Sequence, residues 1–189
     1  MALILTWDNT DLLLNTNVIA QRALQRMKII GGSFLTTGFS PANDLATSIT
    51  SVNFTGTANR IYEFKIQAIC TSGGPTDNTN GIKEGITFGC ITPDIEVLGT
   101  TSVSISIDTT GTDIEGANIK IKKQSDNSIV GTDDVPVALS SIDKTFTGLV
   151  ANTDYYFEVV FYTTIEGSQY NMEGFCGGNV TNYQVTTAI

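Results

Sequence analysis

Reactive side chains are scarce in this sequence, and the types that are missing narrow the chemistry first. It contains no histidine, which removes the commonest general base and the commonest metal ligand together. Serine triads, Cys-His nucleophiles and His-based zinc sites therefore cannot be built. Neither a phosphate-cradling Gly-x-x-x-x-Gly-Lys nor a dinucleotide fingerprint occurs. What remains is carboxylate chemistry, with Asp108, Asp113 and Glu115 in one predicted loop and Asp133-Asp134 in another. Carboxylates so spaced can hold calcium or act as an acid/base pair. The run Asp108 to Glu115 fits a calcium loop only loosely, and these residues are read as solvated turn residues. The expectation is a protein that is not an enzyme and carries no cofactor and no metal.

The elements that position these residues follow from composition and pattern. The chain has 189 residues, 41% hydrophobic and only 15% charged, with 18 glycines. That suits short strands joined by turns and leaves room for two small cores. Period-two alternation puts Leu3, Leu5 and Trp7 on one face, and Val103, Ile105 and Ile107 on another. Further strands are expected over 48–54, 61–69, 85–91, 117–123, 144–149, 154–163 and 181–187. Asn17 to Ile30 is rich in helix-forming Ala, Leu, Gln, Arg and Met. Its place between two strands favours a strand there, because pairing overrides local propensity.

A repeat runs through the chain. Phe54-Thr55-Gly56, followed by Asn59, Tyr62, Phe64 and Ile66, recurs as Phe146-Thr147-Gly148, followed by Asn152, Tyr155, Phe157 and Val159. Leu3 to Asp8 likewise parallels Val103 to Asp108. The expected architecture is all-β, two antiparallel β-sandwiches in tandem over 1–91 and 92–189. Pro93 stiffens the joint between them.

Net charge is −9, which argues against a nucleic-acid partner, since that affinity comes largely from Lys and Arg. Residues 1–91 carry 6 acidic and 6 basic side chains, whereas 92–189 carry 13 and 4. All the net charge thus sits in the second half. No apolar run reaches the roughly 18 residues that cross a bilayer, so membrane insertion is not expected. Met1 to Asp8 lack the charged and apolar regions of a secretion signal, which points to a chain made in the cytoplasm.

Trp7 at the end of its strand, and Leu149 to Tyr155, which is similar to a Leu-x-Pro-x-Thr-x-Tyr motif with Ala151 at the Pro position, resemble the fibronectin type III family. The resemblance implies that Trp7 is a core residue and that Tyr62 and Tyr155 each form a tyrosine corner, the hydroxyl bonding to backbone a few residues upstream. It further implies that Cys70 and Cys90 face one another on adjacent strands, as a disulfide or as neighbouring thiols. Cys176, in a glycine-rich stretch, is read as a semi-buried small residue. The second copy departs from the pattern, with Ile107 in place of Trp.

Domains of this kind serve as decorations, adaptors and tail parts of tailed bacteriophages. The resemblance therefore implies a structural or adaptor protein of a virion, at the tail, collar or fibre attachment. Its partners would be other virion proteins, with several symmetric copies assembled in the host cytoplasm. A capsid decoration protein is the nearest alternative, and an adhesion or carbohydrate-associated module of a secreted bacterial protein is another. A sugar-binding module needs exposed aromatics, and the single Trp is assigned to the core.

In the second copy Pro93 to Ser102 precede Val103 and provide a first strand, whereas only Met1 and Ala2 precede Leu3. An edge strand of the first domain is expected to be left open. It is covered by a strand from a neighbouring protein, packed against a symmetric copy, or simply solvated.

Overall fold

The computed structural model describes residues 2–6, 17–29, 40–72, 75–77, 82–87, 89–172 and 183–189. Trp7 and Cys176 lie outside the described residues. The chain divides into two units, Met1–Thr87 and Phe88–Ile189.

In the first unit β1 (Ala2–Thr6) pairs with β4 (Ser51–Thr55). A second sheet has the order β3 (Ser40–Leu45), β2 (Val18–Met27), β5 (Ile61–Cys70), β6 (Pro75–Asp77), and β7 (Lys83–Ile86) pairs with the start of β5. All pairings are antiparallel. Ala23, Phe54, Tyr62, Phe64 and Ile66 form one buried cluster, with Leu5, Leu45 and Val52 packed against it. The cluster draws on both sheets, and the Phe54 and Phe64 rings meet across it at 4.9 Å.

The segment with helix-forming composition is strand β2. It pairs with β5 along its whole length, from Val18 opposite Cys70 to Met27 opposite Tyr62. Gln21 anchors it further: the side chain is fully buried and its amide donates to the carbonyls of Ala46 (2.8 Å) and Ile49 (2.5 Å). Tertiary hydrogen bonds here outweigh a propensity difference of a few tenths of a kcal/mol per residue.

Among the described residues the second unit repeats this plan with one strand more on the smaller sheet. That sheet has the order β12 (Ser141–Phe146), β9 (Val103–Asp108), β8 (Asp94–Val97). The larger sheet has the order β11 (Ile129–Pro136), β10 (Gly116–Lys123), β13 (Asp154–Ile165), β14 (Ser168–Met172), with β15 (Tyr183–Thr186) also pairing with β13. Val103, Ile105, Ile107, Ile119, Ile121 and Phe157 are buried to within 1%. They are the alternate residues of β9, β10 and β13, as a half-buried antiparallel strand requires.

The register shows that the units are copies. Leu3 lies opposite Phe54 as Val103 lies opposite Phe146, and Ala23 lies opposite Ile66 as Ile119 lies opposite Val159. Several strand limits differ from the sequence reading. β4 begins at Ser51 because 46–50 form a turn that feeds the Gln21 amide, and β12 ends at Phe146 ahead of the left-handed Gly148 (φ 74°).

Candidate functional site

The carboxylates singled out in the sequence are held by local bonds. Asp108 accepts a hydrogen bond from the Thr110 amide (2.8 Å), and its contacts with Thr110, side chain first, hold its pKa below the usual carboxylate range. Glu115 accepts from the Thr164 hydroxyl (2.7 Å), and Asp133 pairs with Lys144. Among the described residues no cluster of three or more Cys, Asp or Glu is placed to hold a metal ion.

The two tyrosines sit alike. The Tyr62 hydroxyl accepts from the Thr57 amide at 2.8 Å, and the Tyr155 hydroxyl from the Val150 amide at 2.9 Å. Each bond reaches back five residues and closes the corner ahead of the strand. Asn59 (φ 56°) and Asn152 (φ 49°) take the left-handed conformation inside these corners, which asparagine tolerates better than most residues. Gly56 lets Tyr62 in, since a Cβ there would stand 2.7 Å from the ring.

A threonine completes each corner and had no prominence in the sequence. The Thr87 hydroxyl donates to the Thr57 carbonyl, and that of Thr187 to the Val150 carbonyl at 2.7 Å. The Thr87 amide bonds the Arg60 carbonyl and the Thr187 amide that of Thr153. Both threonines are at least 97% buried. The signal was one shared residue type at matching positions of the two copies, too common to stand out.

The cysteine pairing implied by the resemblance requires correction. Cys70 is a free, half-buried thiol at the end of β5, while Cys90 is disulfide-bonded and belongs to the second unit. Cys70 and Cys90 are therefore not bonded to each other. The reason lies in the chain path: β7, the first unit's last paired strand among the described residues, runs beside the start of β5 and ends at Ile86, four residues before Cys90.

The first unit differs from the second at β1. Its counterpart β9 is paired on both sides, by β12 and by β8. Among the described residues β1 pairs with β4 alone. Strand N–H and C=O groups point alternately to both sides, so one row of β1 groups has no strand partner among the described residues. Edge strands are usually blunted by charge, proline or a bulge. In the second unit the corresponding edge, β8, carries Asp94 and Glu96; in the first, β3 carries Pro41 and Asp44 beside a register shift. β1 is Ala-Leu-Ile-Leu-Thr, with continuous register and Ile4 64% exposed.

No family model and no curated protein matches the sequence. Among solved structures the chain is similar to a two fibronectin type III domain segment from chicken tenascin, with a TM-score of 0.51 and 14% identity over 90% of each chain. It is also similar to the FN1–FN3 domains of chicken CNTN1, with a TM-score of 0.35 and 14% identity over all of this chain and 62% of that one. The architecture is thus all-β, two fibronectin type III-like sandwiches in tandem.

Proposed function

We propose that the chain is a non-enzymatic structural or adaptor protein of a bacteriophage particle, at the tail, collar or fibre attachment, and that it engages a neighbouring virion protein by accepting a strand along β1. The observation that supports this is that β1, a strand without charge, proline or bulge, pairs among the described residues with β4 alone, whereas its counterpart β9 in the second unit is flanked on both sides. Strand addition draws its affinity from main-chain hydrogen bonds and its register from alternate side chains. The first unit is electrically balanced, with 6 acidic and 6 basic side chains over 1–87. A partner approaches it without the repulsion that an acidic surface would impose on the second unit.

Two measurements separate the setting from the contact. Density-purified particles from an infected culture contain the chain in stoichiometric amount by mass spectrometry; its absence refutes the virion setting. Ile4→Lys, on the outward face of β1, leaves the fold unchanged by circular dichroism but lowers incorporation about 10-fold, a contact loss of about 1.4 kcal/mol. Undiminished incorporation refutes the β1 contact while leaving the virion setting intact.

A further inference from the structure

The strand that flanks β9 in the second unit shows what a strand completing β1 has to offer. β8 runs antiparallel to β9, with Val97 opposite Val103, Glu96 opposite Ser104 and Ile95 opposite Ile105. Leu3, Ile4 and Leu5 hold the places in β1 that Val103, Ser104 and Ile105 hold in β9, since Leu3 lies opposite Phe54 as Val103 lies opposite Phe146. A strand completing β1 in the manner of β8 is therefore antiparallel and sets apolar residues opposite Leu3 and Leu5. Among the described residues the first unit contains no such strand.

β1 itself meets that description. Its sequence, Ala-Leu-Ile-Leu-Thr, has Leu-Ile-Leu at its centre and so reads the same there in both directions. Two copies of β1 placed antiparallel about a two-fold axis at Ile4 set Leu5 of the second copy opposite Leu3, and Leu3 of the second copy opposite Leu5. The two Ile4 residues face each other, and Ala2 faces Thr6. The second copy's leucines then stand where Val97 and Ile95 stand in the other unit. Directly opposite residues share a face of the sheet, so this register keeps the core sides of both copies together. A slip of one residue would put the core side of one copy against the solvent side of the other.

The outer face and the charges agree with self-pairing. Ile4 is 64% exposed, and Asn53 opposite it on β4 is exposed as well. Across the two-fold axis Ile4 meets Ile4, a β-branched cross-strand pair of the kind that stabilises sheets. Neither β1 nor β4 carries a charged residue, so no like charges meet along the shared edge. Nor is there a charge to select a foreign strand, which leaves self-complementarity as the selecting pattern. A two-stranded sheet is marginal by itself, and joining two of them makes four strands.

We infer that the strand β1 accepts is β1 of a second copy, in an isologous pair with the continuous sheet order β4–β1–β1–β4 centred on Ile4. This rests on the reading of β1 as a strand acceptor and adds its partner and register. A contact between two five-residue strands is small, so the pair is weak in dilute solution, with a Kd on the order of 100 µM. It fills where an assembly holds copies side by side and raises their effective concentration.

The test is sedimentation equilibrium of the full chain in about 0.15 M salt, over a range from about 10 µM to about 1 mM. The wild type is monomeric at the low end and passes to a dimer at the high end. Ile4→Lys and Ile4→Glu, each with an unchanged circular dichroism spectrum, weaken pairing at least about 10-fold, because like charges then face each other at the axis. An equimolar mixture of the two variants recovers the dimer, since opposite charges face each other in this register. The inference is overturned by a dimer that neither variant weakens, or by a mixture that stays monomeric. A wild type that remains monomeric at the highest concentration also overturns it, but leaves a β1 contact with a different protein to the incorporation of Ile4→Lys.

Discussion

Thr87 and Thr187 do the same work in the two units, each tying a late segment to the corner ahead of the Tyr62 or Tyr155 strand. A buried hydroxyl that satisfies a buried carbonyl costs most when only one partner is removed. Thr187→Val keeps the shape but leaves the Val150 carbonyl unpaired, and is expected to destabilise the second unit by about 1–3 kcal/mol. Thr187→Ser, which retains the donor, loses much less. Chemical denaturation of both variants checks this; equal losses would show that packing, not the hydrogen bond, is what the threonine supplies. The tyrosine corners were legible beforehand because Tyr62 and Tyr155 recur within a repeated motif. The threonines were not, because a lone Thr in a Thr-rich sequence carries no distinguishing pattern. Equally hidden was the contact of Tyr162 with Gly116, where a Cβ would stand 2.2 Å from the hydroxyl, since only the register of β10 and β13 brings the two opposite each other.

At the scale of elements, β2 shows how pairing overrules composition. Its Gln21 amide satisfies two carbonyls of the turn before β4. Gln21→Leu is therefore expected to cost about 1–3 kcal/mol despite being more apolar, because those carbonyls lose their donor. A neutral or stabilising result in thermal unfolding would mean that water replaces the amide. The pair of β10 and β13 carries a pH dependence. Lys122, the larger influence, and Lys120 lower the Glu158 pKa against the opposing effect of burial. A carboxylate with a lowered folded-state pKa contributes stability that is complete above its ordinary value of about 4.3 and is lost as pH falls through the lowered value. Glu158→Gln should thus narrow the difference in stability between pH 7 and pH 3; an unchanged acid profile would contradict it. The alternating strands β5, β9, β10 and β13 could be read from sequence because one face of each is buried. β3 and β11 could not: Ser-Pro-Ala-Asn-Asp-Leu and Ile-Val-Gly-Thr-Asp-Asp-Val-Pro are edge strands with proline, aspartate and glycine, which read as turns.

On the scale of the molecule, two units share one register yet differ in charge and in edges. The first is balanced in charge, and its β1 has one strand partner among the described residues; the second carries the whole net charge and flanks the equivalent strand with β8 as well. The repeat made the tandem fold legible, and the tenascin segment shares it at 14% identity. The resemblance left Cys70 and Cys90 as a disulfide or as neighbouring thiols, and neither holds, because Cys90 is disulfide-bonded while Cys70 is free. The proposed docking of the first unit through β1 rests on that contrast. Amide hydrogen exchange on the purified chain and on particles that contain it tests the docking role most directly. The account predicts that amides of Ala2–Thr6 exchange at least about 10-fold more slowly in the particle, while those of Val103–Asp108 are protected in both states. Equal exchange of Ala2–Thr6 in the two states would contradict it.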